Sequence, residues 1–207
     1  MLVDKYIKEY LLSDPWDVVD LFEKKLAEYG GSKYAVAVDN CTDAMFLCLK
    51  YLKAGGEVTL PKRTYVSVPC TVIHAGCKVK FEDIEWSGAY QLNPYPVWDG
   101  ATRMQRGMYV KDSYYCLSFH RRKHIPIGKG GMILTDDKRA YEWFKVARYE
   151  GRHMDKFYKD DYIVYYIHKG LFEFQIVNKP CVYHKESILE MIDSVGNDDF
   201  LTFKRVK

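Results

Sequence analysis

The chain has 207 residues, enough for one large or two small domains, and its 48% hydrophobic and 29% charged residues exclude wholesale disorder and a coiled coil. No apolar run reaches the length of a membrane span, and Met1-Leu2-Val3-Asp4-Lys5-Tyr6 lacks the apolar stretch of a secretory leader, so the expectation is a cytoplasmic protein with no membrane partner. Lys and Arg (31) exceed Asp and Glu (28) by +3, too little for a dedicated nucleic-acid binder.

In chain order, Ser13-Asp14-Pro15 reads as the start of a helix whose apolar stripe runs through Val18, Phe22 and Leu26 to a stop at Gly30-Gly31. Tyr34 to Val38 is a short apolar strand, followed by the polar turn Asp39-Asn40-Cys41-Thr42-Asp43 and a helix from Ala44 to Lys53. Further strands are predicted at Glu57 to Leu60, Lys78 to Phe81, Pro96 to Asp99, Tyr114 to Phe119 and Gly131 to Leu134, with helices at Val66 to His74 and Lys138 to Tyr149. This alternation predicts an α/β fold with a mainly parallel sheet flanked by helices, spanning residues 1–150. Residues 151–207 lose the pattern in Tyr- and Lys-rich sequence and read as an appendage, with one last helix from Glu186 to Val195.

The six cysteines (Cys41, Cys48, Cys70, Cys77, Cys116 and Cys181) form no CxxC pair and read as reduced thiols, not as a metal site. The spacings 41 to 48 and 70 to 77 suggest buried helix faces.

Ligands of α/β sheets collect at the carboxyl ends of strands, so the residues that follow each strand carry the information. Asn40-Cys41-Thr42-Asp43-Ala44 places a hydroxyl and backbone amides at a helix start, as an anion site or as an ordinary N-cap. Tyr65, in Pro61-Lys62-Arg63-Thr64-Tyr65, is an aromatic that either stacks on a planar ring or simply packs. Asp99, in Val97-Trp98-Asp99-Gly100-Ala101, can pair with a protonated ring nitrogen or form an Asp-Gly turn. Ser118-Phe119-His120-Arg121-Arg122-Lys123-His124 offers a lysine fit for a Schiff base, a phosphate-binding patch, or a solvated basic loop.

Taken in order, these segments resemble the DegT/StrS family of pyridoxal-phosphate-dependent sugar aminotransferases, of the aspartate aminotransferase-like fold type, over approximately residues 15–150. Cys41-Thr42-Asp43-Ala44 stands where the family has Gly-Thr-Asp-Ala, Asp99-Gly100-Ala101 is similar to Asp-Ala-Ala, and Ser118-Phe119-His120-x-x-Lys123 matches Ser-Phe-His-x-x-Lys. The resemblance implies that Thr42, Asp43 and Ser118 hold the cofactor phosphate, Tyr65 stacks on the pyridine ring, Asp99 keeps its nitrogen protonated, and Lys123 is the Schiff-base lysine. Thr102, where Gln or His usually follows Asp-Ala-Ala, joins the cofactor-binding set. Lys123 and Asp99 are then the catalytic pair, the cofactor is pyridoxal 5'-phosphate, and the substrates are glutamate and a nucleotide-linked keto-sugar. A homodimer is implied, since in this family both chains complete one pocket.

The chain departs from the pattern in several places. Only Tyr95 separates Asn93-Pro94 from Pro96, where the family has a further helix and strand. The acidic residue of Gly-Glu-Gly-Gly is Lys129, and Leu171-Phe172-Glu173-Phe174-Gln175 replaces Asn-Tyr-Arg. The small C-terminal domain is expected to be missing or reduced. The alternative function is therefore a shortened, non-catalytic member that binds cofactor or nucleotide-sugar or completes a partner's site.

Overall fold

The structure, a computed structural model, describes residues 15–149 together with Gly151 and His153. The capping pair Ser13-Asp14, Cys181, the segment at Leu171–Gln175, the helix expected from Glu186 to Val195 and nearly all of the expected appendage lie outside the described residues.

The first helix, α1 (Pro15–Gly30), buries Val18, Val19, Phe22 and Leu26 along one stripe. Strand β1 (Tyr34–Val38) leads into α2 (Cys41–Tyr51), which begins three residues earlier than the apolar period suggests. The reason is local: the Asn40 side chain accepts a hydrogen bond from the Asp43 N–H, so the polar turn is itself the helix cap. Strand β2 (Glu57–Pro61), helix α3 (Ser67–His74) and strand β3 (Lys78–Glu82) follow. Next come β4 (Tyr90–Gln91), β5 (Val97–Asp99), β6 (Tyr114–Ser118), β7 (Gly131–Thr135) and α4 (Lys138–Ala147).

Five strands form a sheet in the order β1-β7-β6-β5-β4, and β2 and β3 pair separately. An antiparallel bridge from Thr59 to Asn93, with the Thr59 N–H donating to the Asn93 carbonyl at 2.8 Å, stitches β2 beside the end of β4. The α/β class holds, but the sheet is mixed where a mainly parallel one was expected: β5/β6 and β2/β3 are parallel, whereas β1/β7, β6/β7 and β4/β5 are antiparallel. Two reversed strands account for this. β7 follows β6 through a helix-free loop, without the crossover a parallel return needs, and β4 joins β5 as a hairpin through Asn93–Pro96. The remaining strands β1, β2, β3, β5 and β6 run the same way, so their carboxyl ends share one edge.

Both faces of the sheet are covered, and successive side chains of the central strands feed opposite cores. Val36, Val38, Cys116 and Ile133 pack with α2, α3 and α4, while Ala35, Ala37, Leu117, Met132 and Leu134 pack with α1. On the α1 side the buried Glu23 carboxylate accepts the Ala37 N–H at 2.7 Å and pairs with Arg148 and Lys145, tying α1, β1 and α4 together.

Cys41 and Cys48 are buried on α2 as the spacing implied. The second pair differs: Cys70 is exposed on α3, and Cys77 is buried beyond the end of that helix. A seven-residue spacing cannot hold a helix face across a helix that ends at His74. Among the described residues no helix is long and apolar enough to cross a membrane, and no group of three or more His, Cys, Asp or Glu is placed to hold a metal ion.

Candidate functional site

Asp99 closes β5 and is buried, and its carboxylate is held on both oxygens. Oδ1 accepts the Ala101 N–H at 2.9 Å and faces the Cys41 thiol at 3.9 Å, while Oδ2 accepts the Tyr90 hydroxyl at 2.9 Å. Burial, then the Asp99 carboxylate, pushes the Cys41 thiol well above its usual range, so it stays protonated and donates. Burial followed by Asp99 also raises the Tyr90 phenol, whose hydroxyl in turn meets Thr64 Oγ1. A chain of side chains thus runs Cys41–Asp99–Tyr90–Thr64, and it ends beside Tyr65, a residue 74% exposed.

The start of α2 lies against this carboxylate. Thr42 Oγ1 and Ser67 Oγ are 2.8 Å apart, so the first turns of α2 and α3 present paired hydroxyls, and α3 begins without a capping side chain. Besides capping α2, Asn40 donates its side-chain amide to Asp43 Oδ2 at 2.6 Å. Burial, then Asp39, raises Asp43 to about 6. Lys129 pairs with Asp39 at 2.5 Å, so the lysine that departs from the family's acidic residue is drawn to the same corner.

Ser118 ends β6 opposite Gly131 of β7. A Cβ on Gly131 would lie 2.3 Å from the Asn40 carbonyl carbon, so only glycine lets β7 pass this close to the start of α2. Lys123 stands on the loop between β6 and β7, half-buried, and Phe119, Ile125 and Ile127 anchor the loop on either side of it in the core. Its charge reaches both Cys41 and His124; burial and then Lys123 push the His124 imidazole below its usual range. Thr102 is exposed and its hydroxyl donates to the Gly88 carbonyl at 3.0 Å. The predicted residues thus follow the carboxyl ends of β1, β2, β5 and β6, with Cys41 joining the Asp99 and Lys123 regions. Thr64 and Tyr90 were not anticipated. The alternation Tyr90-Gln91-Leu92 before the Asn93-Pro94-Tyr95-Pro96 turn was the one signal for Tyr90.

The sequence matches the DegT/DnrJ/EryC1/StrS aminotransferase family over residues 3–98 and 99–169. The chain belongs to this family. Among its relatives is the spore coat polysaccharide biosynthesis protein SpsC of Bacillus subtilis, 28% identical over an alignment of 178 residues that covers 64% of this chain and 46% of SpsC. Solved structures share the fold. DesI, determined in the presence of its TDP-sugar product, superposes with a TM-score of 0.58 at 20% identity, over 74% of this chain and 50% of DesI. GDP-4-keto-6-deoxymannose-3-dehydratase, determined with a trapped PLP-glutamate geminal diamine, gives 0.62 at 18% identity, over 94% and 66%. The chain thus spans about half the length of SpsC and of DesI and about two thirds of the dehydratase.

The site's donor set can be compared with pyridoxal phosphate, the cofactor held in one of those structures. Of the four acceptor directions of the Asp99 carboxylate, three are taken, leaving one for a ring N–H. The hydroxyls of Thr42 and Ser67 at two adjoining helix starts suit a phosphate, Lys123 offers an amine, and Tyr65 an uncovered aromatic face. These residues fit the group. Cys41 is the departure, since its thiol occupies space beside Asp99 that the family's glycine leaves open.

Proposed function

We propose that this chain binds pyridoxal phosphate and transfers an amino group from glutamate to a nucleotide-linked keto-sugar in the cytoplasm. The observation that carries the reading is the buried carboxylate of Asp99, which keeps an acceptor direction open at the strand edge shared with Ser118, Thr42 and the loop of Lys123. The named relatives support the substrate class: one serves polysaccharide biosynthesis, one was solved with a TDP-sugar, and one acts on a GDP-linked keto-sugar.

When bound, the cofactor supplies an electron sink for negative charge at the substrate carbon. Asp99 would keep the ring nitrogen protonated. Thr42 and Ser118, with the α2 N-terminus and Asp43, would hold the phosphate, Thr102 would border the cofactor, and Tyr65 would cover one ring face. The Lys123 amine would hold the cofactor covalently and, once released, carry a proton as general base and then acid. A homodimer would complete the pocket.

Addition of pyridoxal phosphate to the purified chain is expected to give a yellow band, and borohydride reduction to leave a pyridoxyl peptide at Lys123. Lys123→Ala should lose both. A reduced adduct at Lys111 or Lys129 would overturn the assignment. Binding without amino transfer by the pure protein would favour the non-catalytic alternative.

A further inference from the structure

The hairpin that replaces the family's extra helix and strand brings in a side chain that the motif comparison does not anticipate. β4 is two residues long and is held on both sides, by β5 and by the Thr59–Asn93 bridge to β2. Its register sets Tyr90 directly opposite Asp99, so both side chains leave the sheet on the same face, a few ångströms apart. Tyr95 fixes the hairpin from its far end: its hydroxyl donates to the Gly55 carbonyl at 2.5 Å and accepts the Gly55 N–H at 2.8 Å. Trp86 packs on the Tyr90 ring at 4.7 Å, and its indole N–H donates to the Arg63 carbonyl at 2.8 Å. Tyr90 is thereby clamped between the carboxylate and the loop that carries Thr64 and Tyr65.

We infer that Tyr90 is a positioning residue, which orients the Asp99 carboxylate through Oδ2 and couples it to the Thr64–Tyr65 loop. The inference rests on the function proposed above. Ala101 fixes Oδ1, and the Cys41 thiol at 3.9 Å is a weak donor, so Tyr90 supplies the strong hydrogen bond on Oδ2. Without it the carboxylate can turn about its Cβ–Cγ bond, and the direction left for a ring N–H is no longer fixed. The phenol is suited to this work because it stays protonated: with its own proton committed to Asp99, it accepts from the Thr64 hydroxyl. Motion of the Thr64–Tyr65 loop and rotation of the carboxylate are then linked through one oxygen atom.

Tyr90→Phe keeps the ring that packs on Trp86 and removes only the hydroxyl. Titration with pyridoxal phosphate, followed by absorbance, is expected to show about tenfold weaker binding, as for a lost hydrogen bond to a charged group. With cofactor labelled at the pyridine nitrogen, the wild-type nitrogen is expected to resonate as protonated and the Tyr90→Phe signal to move toward unprotonated pyridine. Thr64→Val should shift both readouts in the same direction by less, and it tests the same link if Tyr90→Phe does not fold. Wild-type binding and nitrogen signals reproduced by both Tyr90→Phe and Thr64→Val would overturn the inference while leaving the proposed function standing. A wild-type chain that binds no cofactor would overturn both, and the titration of the unaltered protein alone reveals that case.

Discussion

Asp43 carries an electrostatic cost that a pH titration can read. Burial, then the Asp39 carboxylate, raises its pKa from 3.8 to about 6, so between those values the folded chain binds a proton that the unfolded chain releases. Its contribution is therefore fully present below the unfolded value and is lost as pH rises toward about 6. Because Asp43 is half-buried, solvent screening limits the change to about 1–2 kcal/mol. Asp43→Asn keeps the backbone donor to Asn40, and urea midpoints measured between pH 4 and 6 should fall less steeply than for the wild type. Asp99→Asn should separate chemistry from folding. The amide oxygen can still accept from Ala101 or Tyr90, so thermal unfolding should move little, while on the proposed function amino transfer should drop at least about a hundredfold through loss of the charge assigned to the ring nitrogen.

At the scale of elements, β7 and α2 meet too closely for any side chain at Gly131. The added Cβ would press on backbone atoms of Asn40 and Cys41 at 2.3 to 2.6 Å, and backbone cannot rotate away as a flexible side chain can. Gly131→Ala should cost at least about 2 kcal/mol in chemical denaturation and weaken cofactor binding, because the strain falls on the start of α2. The same elements show what a sequence discloses. β1 was legible at both ends because Tyr-Ala-Val-Ala-Val is apolar on both faces and is bracketed by turn residues. β4 was not, since two residues carry no period and owe their pairing to Trp98 and Asp99 across the hairpin. Asp99, Ser118 and Thr42 were readable as candidates because each ends or follows a strand in the chain. Thr64 and Tyr90 were not, because Tyr90 gains its role from cross-strand register and Thr64 gains its role from Tyr90. The mixed sheet likewise required knowing that residues 119–130 form no crossover helix.

For the whole molecule, the expected homodimer is checked by sedimentation at micromolar concentration, and a clean monomer that binds the cofactor tightly would contradict it. Exposed Tyr65, Val66, Ile73, Phe81 and Ile84 all fall between the end of β2 and the residues just after β3, where a second copy would have apolar surface to cover. Glu23 is the other global link. Glu23→Ala would take the carboxylate from the buried Arg148 charge and the acceptor from the Ala37 N–H, at about 3–5 kcal/mol, measured by urea denaturation. These contacts span 125 residues from Arg148 to Glu23, and the ladder partner of β1 is β7, from Tyr34 on Thr135 to Val38 on Gly131. A ribosome therefore releases β1 long before the strand that receives it exists. Until residue 135 has left the exit tunnel, the nascent chain must keep an apolar five-residue strand without its neighbour, and the late closure of such a long loop slows folding. Nascent chains stalled before Gly131 should accordingly be captured by chaperones and digested quickly by protease, and those stalled well past Arg148 should resist both.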